Sequence, residues 1–148
     1  MSARRSNSND SKRYYEWLDR AQTDLQSARL LLGVGGDPTA VIYHCHQVVE
    51  KALKGYLLFN ANRHFDGHNI TFLVKQCMRH SKEFDKFLEK SPPFNKYYIE
   101  TRYPNDLPFE VGEKELSTAF KMSEELYRLV SKKIVYDLKD DIPVDKQQ

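Results

Sequence analysis

The chain has 148 residues, 40% hydrophobic, 30% charged and 12% aromatic, enough for one folded domain that buries roughly two thirds of its unfolded surface without disulfide or metal staples. Its 23 basic and 21 acidic residues leave a formal net charge of +2, too small to force a nucleic-acid partner, so any anion site has to be a local concentration of cations. No apolar run of about 18 residues occurs and no short apolar core follows the basic start, which argues against a membrane span and a signal peptide.

Residues 1–11 contain nothing to bury and read as a disordered lead, with Asp10 or Ser11 placed to cap the first helix. From Lys12 to Leu32, the residues Tyr14, Trp17, Leu18, Ala21, Leu25, Ala28 and Leu32 keep one helical stripe, in which the two alanines let a neighbour approach closely. Gly33 then stops the helix, and Asp37 with Pro38 starts the next. The Gly-rich run here lacks the Gly-Lys-Ser/Thr ending of a phosphate loop and follows a helix where that motif requires a strand; it is a connector.

The second helix, Pro38 to about Phe59, organises the rest. At about 100° per residue, Ile42, Cys45, Val49, Ala52, Leu53 and Tyr56 share an oily arc, while His44, His46, Gln47, Glu50, Lys51 and Lys54 fill the opposite, solvent-facing one. Glu50 and Lys54 are spaced as an ion pair, and Gln47, Lys51 and Lys54 project together within reach of an anion. The competing reading is an ordinary solvated face with intrahelical pairs. After the loop of residues 60–67, His68-Asn69 opens a third helix that buries Ile70, Leu73, Val74 and Cys77. A break at residues 79–81 comes next, then a short helix with Phe84, Phe87 and Leu88 inward, closed by Pro92-Pro93. The segment Phe94 to Phe109 is predicted as one turn of helix and then an aromatic loop, because Pro104 and Pro108 restrict their predecessors. Leu116, Ala119, Phe120, Ser123, Tyr127, Val130, Ile134 and Leu138 carry a long last helix, and residues 140–148 form a flexible tail. No segment alternates as a strand would. The expected fold is all-α, an antiparallel up-and-down bundle of four to five helices over residues 12–139.

Cys45 and Cys77 fall on oily faces without a Cys-x-x-Cys spacing, which predicts buried thiols in a reducing, cytoplasmic setting and no cysteine nucleophile. His44 and His46 point about 200° apart on a helix and cannot chelate together. His46 and Glu50 share a face that His64 or His68 could join from the loop, but no further ligand is set by spacing, so no metal and no cofactor is expected. His68 is read as a helix cap or loop-fixing hydrogen-bond partner, with ligand contact the alternative. Arg102, between Thr101 and Tyr103 and close to Tyr97 and Tyr98, either clamps a phosphate while a ring stacks on a base or braces the two-proline loop through its carbonyls.

Three features in order resemble the HEPN family of small helical-bundle domains: Arg20-Ala21-x-x-Asp24-Leu25-x-x-Ala28-x-x-Leu31-Leu32 on the first helix, His46-Gln47-x-x-Glu50-Lys51-x-Leu53-Lys54 on the second, and His68 followed by an Arg102-Tyr103-Pro104 loop. The resemblance spans about residues 13–138. It implies a bundle that pairs as a homodimer, works beside a small nucleotidyltransferase of the minimal type, and in some branches is a metal-independent ribonuclease toxin. The ribonuclease branches carry an arginine followed four to six residues later by a histidine at the start of a late helix. Here no histidine follows Arg102, and the spacing match Arg63 to His68 lies in the wrong loop. The expected function is therefore a binding module for a nucleotide or RNA phosphate beside a nucleotidyltransferase, in a toxin–antitoxin or defence setting, with Gln47, Lys51, Lys54, His68, Arg102 and Tyr103 as contacts and no catalytic residue. The alternatives are the ribonuclease toxin and a non-catalytic dimerisation module.

Overall fold

The computed structural model describes residues 9–104 and 109–140. Among these it is all helical: α1 (Tyr14–Gly33), α2 (Pro38–Ala61), α3 (Ile70–Met78), a 3-10 helix (Lys82–Phe87), α4 (Pro92–Glu100) and α5 (Glu113–Asp140). Most of the expected lead and tail, and residues 105–108 of the aromatic loop, lie outside the described residues.

The caps follow the sequence except at the start. Asp37 accepts from the Thr39 N–H with Pro38 in the first turn of α2, Asn69 accepts from the Phe72 N–H at the start of α3, and Ser81 accepts from the Glu83 N–H. Asn69, not His68, is thus the α3 cap. The first helix begins at Tyr14, too late for Asp10 or Ser11 to cap it, and Arg13 at the N-cap position makes no side-chain cap bond. Instead Asp10 pairs with His64, Ser11 accepts from the Arg13 N–H, and the Trp17 indole donates to the Ser11 carbonyl.

α2 is the hub, packed against α1, α3, α4 and α5. α1 lies antiparallel to it, with Tyr14 on Phe59 and Asp24 reaching His44 and Lys51. Ala21 and Ala28 are fully buried in this contact, as their size predicts. Gly55 allows the same approach from α2: a Cβ there would meet the side chains of Trp17 and Leu18 and the Tyr14 carbonyl at 3.2–3.3 Å. The helix ends on Asn62 in the left-handed region, its N–H returning to the Leu58 carbonyl.

Being surrounded overturns the solvent-facing polar arc of α2. The oily arc is buried as expected, but His46, Gln47, Glu50 and Lys54 are buried too. Trp17 of α1 sits under the Lys54 ammonium, while His68 and Tyr98 of α4 cover Glu50 and His46. α4 is a second correction. It runs for nine residues, because Pro92 and Pro93 occupy its first turn, where proline is tolerated, and Pro104 restrains only the chain beyond Glu100. On α5, Ala119, Ser123, Val130 and Ile134 are buried as read, together with Met122 and Leu126, while Leu138 is exposed. Both cysteines are free and buried; burial pushes the Cys45 thiol up to about 11 against the opposing Ser123 hydrogen bond, and pushes Cys77 up as well, which disfavours the thiolate at both.

Candidate functional site

Two polar clusters grow from adjacent stripes of α2. The first starts from Glu50, which is 6% exposed and accepts from Lys54 Nζ at 2.9 Å one turn on. Across from it, His68 Nδ1 lies 3.0 Å from both carboxylate oxygens. Burial is the largest single influence on Glu50 and opposes its ionisation, but the His68 hydrogen bond with the charge and hydrogen bond of Lys54 together outweigh it and hold the carboxyl down at about 2. An ionised carboxylate only accepts, so His68 Nδ1 carries the proton and donates.

The His68 ring stacks on Tyr98 at 3.9 Å and 13°. The Arg102 guanidinium lies against the same tyrosine, 4.2 Å from its centroid, and 4.9 Å from that of Tyr43. Arg102 Nη1 also donates to the Tyr98 carbonyl at 3.2 Å, so the clamp and brace readings describe parts of one geometry. Tyr98 and Arg102 are four apart at the end of α4, and Tyr43 is a turn before His46 on α2; these short helical spacings carry the cluster. Beneath it, His46 is fully buried 5.7 Å from the Tyr98 ring, with Nδ1 3.8 Å from Glu50. Burial, helped by the charges of Arg102 and His68 and resisted by Glu50 and the His68 backbone, lowers its pKa to about 4, so the imidazole is neutral at pH 7.

The second cluster centres on Asp24 of α1, which binds His44 Nδ1 at 2.8 Å and Lys51 Nζ at 2.7 Å. Of the six residues expected to meet an anion, the structure therefore brings His68 and Arg102 together through Tyr98, with Tyr103 next along the chain and 58% exposed. Lys51 and Lys54 do not project freely beside Gln47: each is matched by a carboxylate, Lys54 is buried, and the Gln47 amide nitrogen is buried without a partner. Sequence reasoning placed Tyr98 near Arg102 but missed Tyr43 as a member and the pairing of Asp24 with His44 and Lys51. His64 goes to Asp10, Asp66 and Trp17 rather than to His46, and among the described residues no group of three or more His, Cys, Asp and Glu side chains is placed to hold a metal.

The family model of the HEPN domain matches residues 14–134, nearly the whole bundle. The chain belongs to the HEPN family. Its fold is similar to the crystal structure of TT1696 from Thermus thermophilus, at 27% identity and a TM-score of 0.72 over 83% of this chain and 99% of that one. It is also similar in fold to ST0689, an archaeal HEPN homologue, at 24% identity and a TM-score of 0.59 over 84% of this chain and 99% of that one. No curated protein matches. Among the described residues of this HEPN domain, no helix is long and apolar enough to cross a membrane.

Proposed function

We propose that this HEPN domain is a binding module for a nucleotide or RNA phosphate, acting as a homodimer beside a small nucleotidyltransferase in a toxin–antitoxin or defence setting. The observation that carries the reading is the Arg102 guanidinium held against Tyr98 and Tyr43 with His68 stacked on Tyr98. A planar cation already held on aromatic rings has little freedom left to lose when it meets a phosphate, and the exposed Tyr103 beside it offers a face to a base. Lys51 and Lys54 contribute field rather than direct contacts, since Asp24 and Glu50 already accept from them.

Arg102→Lys is expected to weaken nucleotide or RNA binding about tenfold, because a point charge replaces a fork and loses the stacking. The measurement is a titration of both proteins with AMP and with a short single-stranded RNA, alongside their melting curves. A sharp fall in melting temperature, with no binding by the parent even at about millimolar ligand, would make Arg102 a brace only. The RNA should stay intact. Running that RNA on a gel after incubation tests a ribonuclease reading, favoured by Arg102 and the Glu50-anchored His68 sharing one ring: cleavage in chelator that both Arg102→Lys and His68→Gln abolish would replace the binding reading.

The pairing is tested separately. Sedimentation at micromolar concentration is expected to give twice the chain mass of 17.4 kDa. A single species at the chain mass would remove the homodimer from the proposal.

A further inference from the structure

The stack of His68 on Tyr98 joins the start of α3 to α4, and a second polar contact joins the same two segments close by. At the first position of α3 the Ile70 N–H has no carbonyl within its own helix to reach, and the Asn69 side chain is already spent on the Phe72 N–H. α4 supplies the acceptor: the Ile70 N–H donates to Asn95 Oδ1 at 2.7 Å. The other end of that amide donates to Thr71 Oγ1 at 3.1 Å, Thr71 Oγ1 lies 2.7 Å from Ser91 Oγ, and Ser91 donates to the Leu88 carbonyl at 2.7 Å. The protons in this chain have one arrangement. A backbone N–H only donates and a carbonyl only accepts, so Ile70 orients the amide, Ser91 spends its one hydrogen on Leu88, and Thr71 donates to Ser91. Ser91 is fully buried, where an unmade bond costs most.

We infer that Asn95 is the positioning residue of the Arg102 cluster: its amide pins α4 to the start of α3 and so sets Tyr98 over His68. Asn95 lies three residues before Tyr98, a neighbour on the same helix face, and Ile70 lies two residues after His68. Glu50 already holds the His68 ring from α2, so what the amide adds is the place of α4, which carries Tyr98 and, one turn on, Arg102. On its buried side, Phe94, Tyr97 and the Tyr97–Glu115 hydrogen bond fasten α4 to the core and to α5. That contact sets how deep the helix lies. The amide sets its rotation and its position along α3, because a 2.7 Å bond to a backbone N–H tolerates little slide. The effect of Asn95 on ligand binding rests on the proposed function; its effect on the ring stack does not.

Proton NMR of the full chain reads the stack directly, because the face of a tyrosine ring shields the protons of a ring lying on it. In the parent, the His68 ring protons are expected upfield of those of the exposed His80, and Tyr98→Leu should remove that shift. Asn95→Ala and Asn95→Leu should both lose most of it while remaining folded by their melting curves, since both residues are good helix formers and Leu fills the space that Asn95 leaves. Asn95→Asp should keep it, because the carboxylate still accepts from the Ile70 N–H at a helix N-terminus, where negative charge is favoured. Titrated with AMP, the Ala and Leu variants are expected to bind about tenfold more weakly than the parent, and Asn95→Asp within about threefold of it. A His68 shift retained in both Asn95→Ala and Asn95→Leu overturns the inference. So does retention in Asn95→Leu alone, which makes bulk rather than the amide the pin, its loss in Asn95→Asp, or AMP binding by the Ala and Leu variants as tight as the parent's. Shifts in the expected order with no AMP binding by the parent would remove the proposed function and leave the positioning role in place.

Discussion

Lys54→Ala is expected to lower the unfolding free energy by about 3 kcal/mol, a large fraction of the stability of an ordinary domain. On an exposed helix face, the loss of a Glu–Lys pair four residues apart would amount to only a few tenths of a kcal/mol. Here Lys54 is 4% exposed and Glu50 6%, and removing the ammonium leaves a carboxylate with one less partner in a place water does not reach. His68 still donates to Glu50, which keeps the expected loss at the lower end of that for a broken buried pair. Urea unfolding of the parent, Lys54→Ala, and the double variant Lys54→Met with Glu50→Met measures this. The double variant should recover most of the loss, because an apolar pair replaces a charge that lacks its partner. A loss below about 1 kcal/mol for Lys54→Ala would mean that water solvates the pair after all. The result also governs how binding data are read: weaker nucleotide binding in Lys54→Ala would report a damaged scaffold under the Arg102 cluster, not a missing contact.

The long helices were legible because each buries one continuous stripe. Ala21 and Ala28 on α1, Val49 and Leu53 on α2, and Val130 and Ile134 on α5 all lie where periodicity places them. Gly33, Asp37 and Pro38 mark their joint by local chemistry that owes nothing to the rest of the fold. The polar side of α2 was misread for a reason a helical wheel cannot reveal. The wheel separates oily from polar residues, but how many sides of a helix are covered depends on how many neighbours it has, and α2 has four. Glu50 and Lys54 tolerate burial only because they meet each other and His68. The site was half legible. His68 and Arg102 could be singled out individually, but their meeting depends on α4 carrying Tyr98 across to α2, and the expected single turn of helix would not have placed it there. The ribonuclease pattern looks for a nearby pair along the chain; Arg102 and His68 are far apart in sequence and meet only through the Tyr98 ring of α4.

His46 is expected to make the fold sensitive to mild acid, before the carboxylates titrate. Its pKa is 6.5 when free and about 4 in the fold, so between those values the unfolded chain binds a proton that the native state refuses. Stability from this group is complete above about pH 6.5 and falls as the pH drops toward 4, reaching a loss of about 2 kcal/mol at pH 5. Glu50 acts later. Its folded value of about 2 against 4.5 means that its contribution is full above pH 4.5 and drains as the pH falls toward 2, so the two groups give successive steps rather than one. His46→Leu, of comparable volume, should remove the first step, and at pH 7.5 it should change stability by no more than about 1 kcal/mol, because the neutral ring it replaces is tied to its surroundings by little beyond the His68 backbone. His64, also lowered by burial, remains in the variant and leaves a weaker residual slope of the same sign. Urea unfolding at pH 7.5 and 5.0 decides the matter. If His46→Leu loses as much stability between the two pH values as the parent does, the imidazole is not the sensor, and the polar floor beneath Tyr98 is open to protons in the native state.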